Sequence, residues 1–210
     1  SSVSDDEWSV DGLVLIEYLF DRLYLTHVIP SLPAALEDIA AGHTDAIREY
    51  LEESKPLPGL AGDPNDLSDG MHYSIQCQEE IAFTSRSMYV TASRGLPERL
   101  VDAFDPGLAF AACDAWGVAP RPPIENEPVT SAIPTLVLAG GFDPITPPEW
   151  GSLAVASLVN GRTYRFPRAG HGVLAEDECA RSIVAVFLDA PDRSIDAGCL
   201  TELRGPAFEP

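Results

Sequence analysis

Lysine is almost missing from this chain: Lys55 is the only one, and the other basic residues are arginines. Only 13 basic side chains stand against 33 acidic ones, for a formal net charge of −20 and a pI near 4.3. That shortage argues against nucleic acid and anionic membranes as partners, because phosphate binding needs basic patches. No apolar run approaches the roughly 18 residues of a membrane-spanning helix, so no membrane insertion is expected. The N-terminus, Ser1–Glu7, lacks the basic and apolar regions of a signal peptide. A leader, if one exists, has been removed or lies upstream. C-x-x-C is absent, which weighs against zinc ribbons and thioredoxin-like redox sites. His27, His43 and His72 lack ligand spacing, so neither a metal nor a cofactor is expected. Most consequential is the absence of G-x-S-x-G. No serine sits on the sharp strand-to-helix turn that displays a nucleophile in many hydrolytic enzymes.

What is present is an ordinary globular composition over 210 residues, with 19 prolines that suggest stiff connections. The length suits one domain, or a domain with an appendage. Four cysteines (Cys77, Cys113, Cys179, Cys199) allow two disulfides in three pairings. Cys77–Cys113 and Cys179–Cys199 are favoured. The second pair flanks a helix and its return, and would close a loop of about twenty residues, worth roughly 3 kcal/mol. Oxidised cysteines point outside the cytoplasm, to a secreted or periplasmic protein.

Taken in order, Ser4–Trp8 reads as an N-cap region. Val10–Leu25 carries an apolar stripe at helical spacing through Leu13, Ile16, Leu19, Phe20, Leu23 and Tyr24. A second helix starts at Leu32-Pro33 and ends near Ala41-Gly42. A third spans Asp45–Glu53, and Thr44 is suited to cap it. Pro56–Asp69 reads as a loop. Cys77–Tyr89 has a mixed pattern in which helix is preferred, and short helices follow at Pro97–Phe104 and Leu108–Trp116. Pro120–Pro128 is a linker. After it the pattern changes to strand Ile133–Ala139, helix Glu149–Leu158, strand Arg162–Phe166 and helix Glu178–Leu188, then a tail, Asp189–Pro210.

The first strand ends in Gly140-Gly141, with Asp143 close behind. The second is followed by Gly170-His171-Gly172. Acid and histidine therefore reach the same edge of a parallel sheet, where open α/β sheets place ligands and chemistry. Two strands alone do not make a stable doubly wound sheet. The first is also apolar enough to be covered on both faces. The C-terminal part thus reads as the edge of a larger sheet.

These stretches resemble the C-terminal half of the secreted tripeptidyl-aminopeptidase-like α/β-hydrolases, relatives of the proline iminopeptidases. The resemblance rests on Leu32-Pro-Ala-Ala-Leu36 with Ala41-Gly-His43, Ser74-Ile-Gln-Cys-Gln-Glu79, Cys113-Asp-Ala-Trp116 and Ser131–Gly140. It continues through Asp143-Pro-Ile-Thr-Pro147, Gly170-His-Gly172, Cys179-Ala180, Phe187-Leu188 and Cys199. The resemblance implies a partial α/β-hydrolase fold. Residues 1–125 would be a helical cap and residues 126–210 the last β-α-β-α of the core. The N-terminal half, which carries the serine and oxyanion hole, would be a separate or cleaved chain and the partner of this one.

The resemblance further implies a serine peptidase that releases residues from peptide N-termini. His171 would be general base and then general acid, since a histidine exchanges protons near neutral pH. Asp143 would orient the imidazole and stabilise its cation. Glu79, in the family's Cys-x-acid pattern, would anchor the peptide ammonium by a charge-assisted bond, with Glu80 as the alternative. On its own the chain should be inert. Two alternatives remain: an esterase or amidase of the same fold, or a non-catalytic interaction module that kept the fold's edge.

Overall fold

A computed structural model describes residues 3–4, 9–53 and 68–208. Most of the N-cap region expected at Ser4–Trp8, and nearly all of the loop expected at Pro56–Asp69, lie outside these residues. Two compact units are present. One joins residues 1–48 to 128–210, and the other is residues 49–127. Composition had suggested one change near residue 125. In space, the N-terminal segment packs with the C-terminal part.

The first unit opens with a two-residue antiparallel pair, β1 (Val3–Ser4) with β2 (Ser9–Val10). Helix α1 (Gly12–Arg22) starts where the Asp11 carboxylate accepts from the Leu13 and Val14 N–H groups at 2.8 and 3.1 Å. That bond satisfies two N–H groups the first turn would otherwise leave unpaired. Helix α2 (Leu32–Ala41) carries Pro33 in its first turn, where the missing N–H costs nothing. It stops at Gly42, whose φ of 98° suits the left-handed cap that glycine adopts without strain. Helix α3 (Asp45–Glu53) crosses into the second unit.

The second unit is helical. Helix α4 (Asp69–Ile75) runs into a π turn at Gln76–Glu80 and a 3-10 turn at Ile81–Phe83. A new helix, α5 (Arg86–Ala92), then starts with Ser85 as its cap. The single helix expected over Cys77–Tyr89 is therefore broken at Thr84-Ser85, both extended. Helices α6 (Glu98–Ala103) and α7 (Gly107–Trp116) follow. Cys77, buried on the π turn, is bonded to Cys113 of α7. This cross-link ties two short helices that bury little apolar surface of their own.

Back in the first unit, β3 (Thr135–Gly140) pairs in parallel with β4 (Gly161–Phe166), from Thr135 against Gly161 to Gly140 against Phe166. Helix α8 (Pro148–Val155) makes the crossover. It approaches one sheet face closely at Gly151, where an added Cβ would lie 3.1 Å from Val137 Cγ1. Helix α9 (Val173–Glu176), α10 (Glu178–Asp189) and α11 (Cys199–Glu202) complete the unit. Phe166, Ala169, Val173, Ala180 and Ile183 form one buried cluster of this unit, with Leu136, Leu138, Tyr164 and Leu200 packed against them. The Cys179–Cys199 disulfide fastens α11 to α10. Both disulfides are the favoured pairs, and they point to an oxidising compartment. Among the described residues no helix is long and apolar enough to cross a membrane. Among them, too, β3 pairs with β4 and with no other named strand.

Candidate active site

Asp143 sits in the turn that leaves β3. Its carboxylate takes four hydrogen bonds. Oδ1 accepts from the backbone N–H groups of Ile145 and Thr146, each at 2.9 Å. Oδ2 accepts from the Thr146 hydroxyl at 2.7 Å and meets His171 Nδ1 at 3.0 Å. The first three are the local pattern by which an aspartate closes its own turn two and three residues on. Asp143 is thus both a turn residue and the partner of the histidine. The side chain of Asp143 is only 6% exposed, whereas that of His171 is 43% exposed. A buried acid therefore backs an accessible base.

Burial pushes the Asp143 carboxyl up. The bonds from Thr146, Ile145 and His171 outweigh it and hold the group below the ordinary aspartate value. The carboxylate is therefore ionised and has no proton to share. Nδ1 of His171 must be the donor, which leaves Nε2 as the nitrogen able to accept or release a proton.

Two loops are zipped together to make this pair. Gly141 N–H donates to Phe166 O at 2.8 Å and Phe142 N–H to Ala169 O at 2.9 Å. The approach requires glycine. A Cβ at Gly140 would collide with the Gly170 carbonyl oxygen and reach 2.8 Å from that of Ala169. Gly172 has a φ of 75° and caps α9, turning the chain away directly after His171. Beside the pair lies a cleft of about 690 Å³, walled by Thr146 and by the apolar Leu138, Val173 and Leu174.

Asp143 and His171 are thus brought together. Glu79 lies in the second unit, on the π turn, where its Oε1 is 3.5 Å from Arg121 Nε. Sequence reasoning gave Thr146 no role and did not see that it fastens Asp143. The signal was the Asp-Pro-Ile-Thr spacing, which suits a turn closed by the aspartate side chain. It also missed the contacts of Tyr24 and Thr26 with the His171 loop, which carry no sequence signal.

Residues 104–199 match the family model described as TAP-like protein. That stretch is similar to the TAP-like α/β hydrolases. The matched stretch is a little under half the chain and contains Cys113, Asp143, His171 and both cysteines of the second disulfide. No curated protein and no solved structure matches the chain. The α/β character, the parallel β3–β4 pair and the relation agree with a hydrolase of the α/β kind.

Proposed function

We propose that this chain supplies the acid–base pair of a secreted serine peptidase that releases residues from peptide N-termini. The observation that carries the reading is the Nδ1–Oδ2 bond between His171 and a carboxylate already held by three other donors. His171 Nε2 takes the proton from a serine Oγ as that oxygen attacks the scissile carbonyl. It then hands the proton to the departing amine nitrogen, leaving an acyl-enzyme. Water repeats the cycle and frees the acid. Asp143 keeps the productive tautomer and stabilises the imidazolium.

The serine lies on polypeptide outside residues 1–210, since no G-x-S-x-G occurs here. Among the described residues β3 pairs with β4 alone, which supports the pairing of a further strand from that polypeptide. The cap of such an enzyme, expected over residues 1–125, would then be the unit of residues 49–127, which in sequence separates residues 1–48 from 128–210. Glu79 is its ammonium anchor. Its Oε1 already lies 3.5 Å from Arg121 Nε, so a peptide ammonium would share or displace that partner.

Denaturing mass analysis of the native preparation after fluorophosphonate treatment tests this reading. A labelled serine outside these 210 residues is expected. Labelling within them overturns it by placing a nucleophile on this chain, and labelling nowhere overturns it in favour of the interaction module. In the unlabelled enzyme so identified, His171→Ala should lower turnover by about a millionfold with folding intact. Glu79→Gln should raise KM for peptides with a free N-terminus and leave N-acetylated ones unaffected. Equal effects on both would remove Glu79 from the site.

A further inference from the structure

The His171 loop is gripped from one side by a stretch about 145 residues earlier in the chain. Gly170 N–H donates to Thr26 Oγ1 at 3.0 Å. The Tyr24 ring meets the His171 ring edge-on, centroids 5.1 Å apart, and is backed by Phe20 at 5.8 Å. His27 holds Glu176, at the far end of α9, through its backbone N–H at 3.0 Å and Nδ1 at 3.2 Å. Gly170 approaches this stretch so closely that a Cβ would overlap the Leu23 carbonyl oxygen. Contacts with residues 23–27 therefore flank His171 at positions 170 and 176 and touch its ring.

We propose that Tyr24, Thr26 and His27 form a positioning clamp that holds the His171 imidazole in its bond with Asp143. The geometry gives each member a separate job. Thr26 fixes the peptide just before the histidine. His27 fixes the helical turn just after it. Tyr24 blocks rotation of the ring away from Asp143. Burial, then the Asp21 and Asp143 charges, push the Tyr24 phenol up, so it stays protonated and adds no charge beside the imidazolium. No contact between these residues and substrate is implied.

The clamp deepens the peptidase reading, but its test does not depend on catalysis. The readout is the downfield Nδ1–H resonance of His171 in proton NMR of the full 210-residue chain, with Asp143→Asn to assign it. Thr26→Val keeps the shape and removes the acceptor, and should speed solvent exchange of that proton about tenfold, the scale of one lost hydrogen bond. Thr26→Ser should restore the slow rate. Tyr24→Leu should likewise broaden the resonance. The amide spectrum of α10 reports whether the unit stays folded; if Thr26→Val unfolds it, Tyr24→Leu and the Thr26→Ser comparison carry the test.

Exchange unchanged in Thr26→Val and in Tyr24→Leu overturns the clamp. So does absence of the resonance from the wild-type chain. If His171→Ala leaves activity intact while Thr26→Val still loosens the ring, the peptidase reading falls and the clamp stands. If the active enzyme needs His171 but its ring is indifferent to Thr26, the reverse holds.

Discussion

Gly170 and Gly172 look equivalent in Gly-His-Gly, and replacing each by alanine separates two physical reasons for glycine. Gly172 has a φ of 75° and nothing within 4 Å of an added Cβ. Its alanine variant bears only the left-handed backbone penalty, roughly 1 kcal/mol. Gly170 has no positive φ. Its Cβ would overlap the Leu23 carbonyl oxygen and reach 2.8 Å from the Tyr24 carbonyl. Both obstacles are backbone, so no side chain can rotate away. The histidine loop or residues 23–24 must shift, at a cost of about 3 kcal/mol or more. Urea unfolding of the first unit, followed by near-ultraviolet signals and by amide exchange in α10, reads the difference. With a slope of about 2 kcal/mol/M, the midpoint should fall by about 0.5 M for Gly172→Ala and by about 1.5 M for Gly170→Ala. The Gly170 variant should also lose the slow-exchanging His171 proton. Equal losses, or a larger loss at Gly172, would refute the close packing of the two segments.

Two further outcomes follow from the same geometry. Burial raises the Asp143 carboxyl and its four hydrogen bonds lower it by more, so its stabilising contribution is complete above the ordinary aspartate value of about 3.9 and is lost as pH falls through the lower folded value. Carbon-detected titration of Asp143 should lie below that value, and the stability gap between wild type and Asp143→Asn should close only in that acid range; titration at or above it rejects the assignment of the bonds. Removing the Cys179–Cys199 bridge, of sequence separation 20, by double alanine substitution should cost roughly 3 kcal/mol. Exchange should speed in residues 195–203 and less in β3, and uniform loosening of both would show that the bridge does more than fasten α11.

The sheet half of the fold was legible because its signals are local. Thr135–Gly140, Gly161–Phe166 and Glu178–Asp189 lie within two residues of the spans that strand and helix periodicity indicates. The break in Cys77–Tyr89 was not legible. No proline or glycine marks it, and the serine that caps the new helix at Ser85 is a residue type equally common inside loops and helix ends. The association of residues 1–48 with 128–210 is tertiary: Thr26 and Gly170 are individually ordinary, and only their 3.0 Å bond gives them meaning. Likewise the sequence places Asp143 and His171 at one sheet edge, and its Asp-Pro-Ile-Thr spacing suits a turn at Asp143 without showing that the turn and the histidine share one carboxylate.

That last point bears on what this pair needs from the rest of an enzyme. Three of the four bonds to Asp143 come from residues two and three positions away, and the fourth comes from His171 itself. The loops that present acid and base are zipped by Gly141 to Phe166 and Phe142 to Ala169. The pair is therefore assembled by β3, β4, their two exits and the stretch 23–27, without help from a nucleophile-bearing segment. If a serine is delivered to the cleft as proposed, it would meet a base whose tautomer is already set, so docking would not need to assemble the base and its orienting acid. An esterase, an amidase and a peptidase would use the same two loops in the same way. Distinctions among them cannot arise at Asp143 or His171 and must come from what contacts the substrate elsewhere. Glu79 is the one residue proposed here to make that distinction, through its preference for a free ammonium.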